Sequence, residues 1–150
     1  MPCSCKNWIC WSKKYKLPTN LIELEITENI FLKGLDRLLD FINSLRNRGF
    51  LISIDDFGSG YSSLNLLKTL PIDILKLDKE FFMKNRMEYK DKVVINSIIQ
   101  LAKGLGLKVV SEGVETLEQA KFLKESYCDI VQGYFFYQPM PMEEFVKLIE

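Results

Sequence analysis

The sequence predicts an α/β fold made of about five successive β/α units. Short apolar segments of strand type alternate along the chain with longer segments whose apolar residues recur at helical spacing. Such repetition favours parallel strands joined by helical crossovers, which are right-handed by default. Charged or amide side chains also recur where the predicted strands end, at the edge where α/β proteins bind ligands.

Each unit begins with a strand and continues into a helix. Alternation of apolar and charged residues, or a short apolar run, predicts strands over 21–27, 50–56, 73–78, 107–113 and 129–136. Helical spacing predicts helices over 28–49, 62–70, a longer segment that ends at Gly104, 116–126 and 141–150. The longer helix is predicted to have one apolar face, formed by Val93, Val94, Ile98, Leu101 and Ala102. Thr116 is predicted as an N-cap, with Gln119 at the third helical position.

Composition narrows the chemistry and the partners. The 20 basic and 20 acidic residues balance, so net charge gives no reason to expect a nucleic-acid polymer or an acidic membrane as partner. The absence of histidine excludes His-based acid–base catalysis, Ser–His nucleophiles and His-ligated zinc. No apolar run is long enough to span a membrane, and the first ten residues do not form a secretory leader, so a cytoplasmic location is expected. The four cysteines lack zinc-type spacing and are predicted to be free thiols: Cys3, Cys5, Cys10 and Cys128.

Polar side chains lie at or just beyond the carboxyl end of every predicted strand. They are Glu25 and Glu28, Asp55 and Asp56, Lys76 and Asp78, Glu112 and Glu115, and Gln132. Without histidine, such carboxylates suit a hard divalent cation such as Mg²⁺ or Mn²⁺, and adjacent aspartates can serve two metals. The set therefore predicts metal-assisted hydrolysis of a phosphate ester, with Lys76 placed to orient or deprotonate a water.

Taken singly, most of these residues also have a structural interpretation. The adjacent aspartates precede Gly58 and could form a turn or a helix N-cap. Lys76 could instead pair with Asp78 on a solvent-facing side of the strand. The others could cap a helix or simply line a strand: Glu28, Gln132, and one of the pair Glu112 and Glu115. The functional interpretation therefore depends on the whole set.

With these residues in place, the sequence resembles the EAL domain of cyclic di-GMP phosphodiesterases. The resemblance runs from about Lys16 to the C-terminus and implies a modified TIM barrel. It also implies metal-dependent hydrolysis of cyclic di-GMP to the linear dinucleotide pGpG. Five motifs carry it, in the order and spacing of the family: ELEITE (23–28), DDFGSGYSSL (55–64), LKLD (75–78), SEGVET (111–116) and QGYFFYQPM (132–140).

The resemblance implies a role for each site residue. Glu25 corresponds to a ligand of one metal, and Asp55 to the ligand that bridges both. Asp56 and Glu112 correspond to ligands of the second metal. The catalytic assignments are Lys76, which contacts the attacking water, and Glu112. The remaining residues bind substrate or anchor the loop after the paired aspartates: Glu28, Gly58, Ser59, Gly60, Glu115 and Gln132. The implied ligands are two Mg²⁺ or Mn²⁺ ions and cyclic di-GMP, and the implied partner is a second copy that contacts this chain through that loop.

The resemblance covers only the last five β/α units of the family's barrel. The Glu-Ala-Leu motif and the asparagine-bearing strand after it, which supply two ligands of the first metal in the family, do not occur in this sequence. The expected fold is therefore an incomplete TIM-type (β/α) barrel, a partial EAL domain over 16–150 with the early strands absent. Residues 1–15 are unassigned, and their first ten resemble a product of truncation or rearrangement. An incomplete barrel leaves strand 21–27 with an open edge.

Two functions are compatible with this pattern. The first is an EAL-type phosphodiesterase that is weak or inactive as an isolated chain, because one metal site lacks two ligands. The second is a non-catalytic EAL remnant that binds the nucleotide or a protein partner. The retained acids favour descent from an active enzyme, whereas the missing strands favour little turnover by the chain alone.

Overall fold

The computed structural model describes residues 10, 12, 14–27, 35–58, 64–82 and 87–149. Within them, five parallel strands form one sheet in chain order. The strands are β1 (Glu23–Thr27), β2 (Leu51–Phe57), β3 (Ile74–Leu77), β4 (Lys108–Ser111) and β5 (Ile130–Val131). The helices are α1 (Leu35–Arg46), α2 (Leu64–Thr69), α3 (Tyr89–Gly104), α4 (Leu117–Glu125) and α5 (Met142–Ile149). A helix follows each strand, so the predicted alternation of β/α units is confirmed.

The two faces of the sheet differ in chemistry. Alternate side chains of a strand point to opposite faces, and paired residues of neighbouring strands share a face. One face carries Ile54, Leu75 and Val109, which are buried in a single apolar core with the helices. The strand register places Glu25 beside Ser53 on the opposite face, and Lys76 shares that face. Apolar packing thus fixes the sheet from one side and leaves charged residues on the other.

Helix α3 buries a face that matches the predicted one only in part, since Ala102 is buried and Ile98 packs against the core. Its buried residues are Ile95, Ile99 and Ala102, which recur at the spacing of one helical stripe. Residues of the predicted face are exposed to 44%, 49% and 39%: Val93, Val94 and Leu101. The helix has apolar residues on more than one side, so periodicity alone could not identify the side that the sheet covers.

Strand β5 is shorter than the predicted segment 129–136 and ends at Val131. The chain turns at Gly133, where the Phe136 N–H donates to the Gly133 carbonyl at 3.1 Å. Val114 forms a backbone hydrogen bond with one residue on each side of Gly133. Its N–H donates to the Gln132 carbonyl at 3.1 Å, and its carbonyl accepts the Phe135 N–H at 3.0 Å. Backbone bonds to a loop residue therefore take the place of a longer strand ladder.

The predicted cap of α4 is confirmed. The Gln119 N–H donates to the Thr116 hydroxyl at 3.2 Å, and the Gln119 side-chain oxygen accepts the Thr116 N–H at 3.0 Å. This reciprocal pair is a capping box, which satisfies amide groups that the first helical turn leaves without partners. Gln119 also donates from its side-chain amide to the Phe82 carbonyl at 3.3 Å, which ties α4 to the segment after β3.

Both outer strands have an open side among the residues that the structure describes, because β1 pairs only with β2 and β5 only with β4. Apolar surface lies near the β5 end of the sheet. Helix α5 has no buried residue, and four of its apolar side chains are exposed by about half or more: Met142, Phe145, Leu148 and Ile149. The sheet is therefore an arc of a barrel, as expected, with unpaired backbone at both ends.

An aspartate clamp recurs at the amino end of the sheet. Asp73, just before β3, accepts the Ile52 N–H at 3.0 Å and pairs with Arg46 at 2.7 Å. Asp129, just before β5, accepts a backbone N–H of β4 at 2.8 Å and pairs with Lys103 at 2.8 Å. Each carboxylate therefore joins the start of the preceding strand to a basic residue in the last turn of a helix. The helix dipole favours a positive charge at that end of the helix.

Asp129→Asn is expected to lower the free energy of unfolding at neutral pH by about 1 kcal/mol, because two charge-assisted contacts of a partly exposed group weaken. Burial alone would raise the pKa of Asp129, but Lys103 and the Val109 N–H lower it below the ordinary value of 3.8. A carboxyl with a lowered pKa in the folded state contributes stability above its unfolded pKa and loses it as the pH falls through the folded-state pKa. Urea unfolding should therefore separate the two proteins at neutral pH and bring them together below the ordinary value. A difference that stays constant over this range, or an equal loss in Asp40→Asn on the surface of α1, would contradict the role of the clamp.

Candidate active site

Four charged side chains from four strands meet at the carboxyl edge of the sheet. Glu25 lies on β1, Asp55 on β2, Lys76 on β3, and Glu112 directly follows β4. The strands are parallel, so their carboxyl ends lie along the same edge. The sequence prediction that these residues converge is therefore matched by the structure.

The ammonium group of Lys76 is the centre of this cluster. Its Nζ lies 2.5 Å from Glu25 Oε1, 3.0 Å from Asp55 Oδ1 and 2.8 Å from Glu112 Oε1. The lysine side chain is 10% exposed, whereas the three carboxylate side chains are 20% to 49% exposed. One buried cation thus contacts three carboxylates from different parts of the sheet edge and offsets part of their negative charge.

The electrostatic balance at Lys76 favours its charged form. Burial alone would lower the pKa of this amine. Contacts with Glu112, Glu25 and Asp55 outweigh burial and raise the pKa above its ordinary value. The group is therefore charged at neutral pH in this arrangement, and it serves here as a hydrogen-bond donor and an electrostatic partner. Its role toward a water, to orient it or to deprotonate it, stays a prediction.

Asp56 faces a second carboxyl group, that of Asp78. A hydrogen bond with Asp78 raises the pKa of Asp56, and burial together with the negative charges of Asp55 and Glu112 raises it further. Two carboxyl groups can share such a bond only if one of them holds a proton. Asp56 also has a backbone φ of 56°, an unusual conformation for a residue other than glycine that turns the chain at the end of β2.

Asp78 is a site residue for which the sequence analysis predicted no functional role. It is 8% exposed, and its Oδ1 accepts the Glu80 N–H at 2.6 Å in addition to the bond with Asp56. The alternative in which Lys76 and Asp78 pair on a solvent-facing side is wrong, because both are buried. The signal available in the sequence was its place at the strand end in LKLD, the same signal that identified Lys76.

The remaining predicted residues lie around this cluster or outside the described residues. Glu115 is exposed, and its N–H donates to Gln119 at 2.8 Å as part of the start of α4. Gln132 is exposed, and its N–H donates to the Ser111 carbonyl at 2.8 Å. Their roles toward a substrate stay predictions. Three predicted residues lie outside the described residues: Glu28, Ser59 and Gly60.

Gly58 follows the paired aspartates at a position that only glycine suits. Its φ is 100°, and a Cβ added there would lie 2.2 Å from the ring of Phe81. The chain therefore passes directly against Phe81 as it leaves β2. This contact anchors the start of the loop that the sequence assigned to substrate binding or loop anchoring.

The donor set fits a hard divalent cation. The four residues that would hold it supply only carboxylate oxygens: Glu25, Asp55, Asp56 and Glu112. Asp55 Oδ1 is buried and has no hydrogen bond among the described residues, although the Lys76 ammonium lies 3.0 Å away. Across the described part of the chain, no three acidic or cysteine side chains are arranged as a ready coordination sphere. At this site the carboxylate oxygens are arranged around an ammonium group instead.

None of the helices in the described part of the chain combines the length and the apolar character that a membrane crossing needs.

A parallel β/α arc with an acidic edge defines the chain as a barrel-type α/β protein with a candidate hydrolytic site. The family model for the EAL domain matches residues 4–139. The chain belongs to the EAL domain family, and its sheet is part of a TIM-like barrel. The match begins within residues 1–15, which the sequence left unassigned, so the boundary at residue 16 stays a prediction.

Relatives and solved structures agree with this family. The chain is 45% identical over 129 residues to the cyclic di-GMP phosphodiesterase NbdA of Pseudomonas aeruginosa, covering 84% of this chain and 16% of NbdA. The EAL enzyme Bd1971, solved with cAMP and cyclic di-GMP, is 39% identical with a TM-score of 0.92, covering all of this chain and 40% of that one. BlrP1 of Klebsiella pneumoniae, solved with manganese and cyclic di-GMP, is 30% identical with a TM-score of 0.79, covering 90% of this chain and 34% of that one. This chain thus spans well under half the length of each of these proteins.

Proposed function

We propose that this chain is part of a cyclic di-GMP phosphodiesterase that hydrolyses the cyclic dinucleotide to linear pGpG with the help of Mg²⁺ or Mn²⁺. The observation that carries the proposal is the convergence of Glu25, Asp55 and Glu112 on Lys76 at the carboxyl edge of the sheet. The names of NbdA and of the cyclic di-GMP complexes support the substrate. The manganese complex of BlrP1 supports a divalent cation.

The chain's own residues would divide the work by chemistry. Glu25, Asp55, Asp56 and Glu112 would hold the cations, which supply an acidified water and a counter-charge for phosphate oxygens when bound. Lys76 keeps its proton in the arrangement described above, so it would orient a water or stabilise negative charge as a hydrogen-bond donor. Asp78 would position Asp56 through their hydrogen bond.

Turnover by the isolated chain is expected to be weak, because the family pattern assigns two further ligands of the first metal to strands that this sequence does not contain. A second candidate, a non-catalytic module that binds the nucleotide or a protein, is favoured by the exposed apolar side chains of α5. A cytoplasmic location and a homodimer through the loop after Asp56 stay predictions. Light scattering of the purified chain would test the dimer.

The proposal predicts that the purified chain converts cyclic di-GMP to pGpG in Mn²⁺ or Mg²⁺, and that Asp55→Ala slows this reaction by at least about 100-fold. Asp55 is the common ligand in the implied pair of sites, so its loss removes charge and coordination together. Chromatographic detection of pGpG provides the measurement. Asp40→Ala is the matched control, because it removes an exposed aspartate from α1 and should keep the wild-type rate.

The outcomes separate the two candidates. Product formation that persists unchanged in Asp55→Ala would reject the proposed site. Binding of labelled cyclic di-GMP in equilibrium dialysis without any product would favour the non-catalytic module. Absence of both binding and product would reject the phosphodiesterase proposal for this chain.

A further inference from the structure

The carboxylates of the candidate site are arranged around a cation that the chain itself provides. Three oxygens lie 2.5 Å to 3.0 Å from one ammonium nitrogen, so each pair of them is close enough to share a single ion. The Lys76 side chain is 10% exposed, so its contacts with these carboxylates are shielded from water more than a surface ion pair is. The neighbouring carboxylates would repel each other in the absence of this charge.

We infer that Lys76 acts as an internal cation that holds the site together in the metal-free protein and that a divalent cation displaces its ammonium group from the carboxylates. The inference rests on the metal binding of the proposed function and adds a competition between two cations for the same oxygens. The oxygens that contact the lysine nitrogen are one from each carboxylate: Glu25 Oε1, Asp55 Oδ1 and Glu112 Oε1.

Simultaneous binding of both cations at these oxygens is unfavourable for two physical reasons. Mg²⁺ requires oxygens at about 2.0–2.1 Å, closer than any of the Lys76 contacts, so the carboxylates must turn toward the metal. A dication at the same oxygens would also lie within a few ångströms of the ammonium and repel it. The lysine can respond because its charge is on a flexible four-carbon stem, which moves the ammonium without moving β3.

Displacement would also change what Lys76 can do. In the structure the Lys76 ammonium faces three carboxylates, and it donates a hydrogen bond to Glu25. If these carboxylates held a divalent cation, the Lys76 ammonium would be free to donate to a water or a phosphate oxygen at the same edge of the sheet. The contacts with the three carboxylates would therefore hold the Lys76 ammonium in place until the reaction needs it as a hydrogen-bond donor.

The test compares Mn²⁺ affinity by isothermal titration calorimetry in wild type, Lys76→Met and Lys92→Met. Lys76→Met removes the competing charge, so Mn²⁺ should bind at least about tenfold more tightly than to wild type. Lys92→Met breaks a surface pair with Glu118 at 2.9 Å that involves none of these three carboxylates, and should leave the affinity unchanged. Equal or weaker Mn²⁺ binding by Lys76→Met would overturn the inference.

A second measurement uses the wild-type protein and does not depend on the folding of the methionine variant. The ¹⁵Nζ resonance of Lys76, assigned by its loss in Lys76→Arg, should shift during a Mg²⁺ titration while that of Lys92 stays constant. An unchanged Lys76 resonance in protein that binds Mg²⁺ would overturn the displacement.

The two proposals fail in distinguishable ways. If Lys76→Met binds Mn²⁺ more tightly but the wild-type chain forms no pGpG, the competition stands and the proposed function is rejected. If pGpG forms and Lys76→Met binds Mn²⁺ no better than wild type, the function stands and the competition is rejected. If neither protein binds Mn²⁺, both the competition and the metal dependence of the proposed function are rejected.

Discussion

Gly133→Ala is expected to lower the free energy of unfolding by about 3 kcal/mol or more, because the added methyl group has no space. A Cβ at this position would lie 2.1 Å from the carbonyl oxygen of Val114 and 2.3 Å from its nitrogen. These are backbone atoms of a fully buried residue, so no side-chain rotation can relieve the overlap. The backbone bonds between Val114 and the segment around Gly133 must lengthen or break instead.

Urea unfolding of Gly133→Ala and of Gly104→Ala would measure this effect against a matched control. Gly104 is the last residue of α3, and a Cβ added there would meet nothing within 4 Å. Alanine is a better helix former, so Gly104→Ala should be unchanged or more stable by up to about 1 kcal/mol. A Gly133→Ala protein within about 1 kcal/mol of wild type would show that the segment after β4 and the turn after β5 are not held together as the structure indicates.

The sequence predicts those parts of the fold that depend on local pattern. The alternation of strands and helices and the Thr116 cap follow from neighbouring residues, and the structure confirms both. The buried face of α3 and the end of β5 depend on which distant residues cover them. Apolar residues on several sides of α3 left its orientation open, and the contact of Gly133 with Val114 joins segments that local pattern treats separately.

The candidate site shows the same division. Parallel strands bring their carboxyl ends to one edge, so the convergence of Glu25, Asp55 and Glu112 followed from strand order alone. The sequence placed Lys76 at the same edge but not at the centre of the carboxylates, because that position depends on the relative heights of side chains from four strands. The sequence prediction also missed the hydrogen bond between Asp56 and Asp78. Two carboxylates that are close in space normally repel each other, and the sequence does not show that one of them holds a proton.

The metal-free protein should depend strongly on Lys76 for its stability. In EDTA, Lys76→Met is expected to lower the free energy of unfolding by about 3 kcal/mol, because it leaves partly buried carboxylates without their cation. The same substitution at Lys92 should cost less than about 1 kcal/mol, since that lysine and its partner Glu118 are 35% and 57% exposed. The Lys76 side chain is only 10% exposed and contacts three carboxylates, which is the physical difference between the two variants.

Urea unfolding with and without Mn²⁺ would check this prediction and relate it to the competition of cations. A ligand that binds only the folded protein stabilises it more when it binds more tightly, so Mn²⁺ should stabilise Lys76→Met more than wild type. The deficit of the variant in EDTA should therefore shrink as Mn²⁺ is added. Equal losses for Lys76→Met and Lys92→Met in EDTA would mean that the carboxylates do not need an internal cation. A deficit that Mn²⁺ leaves unchanged would instead mean that the loss comes from packing of the lysine stem, because a metal can replace the missing charge but not the missing contacts.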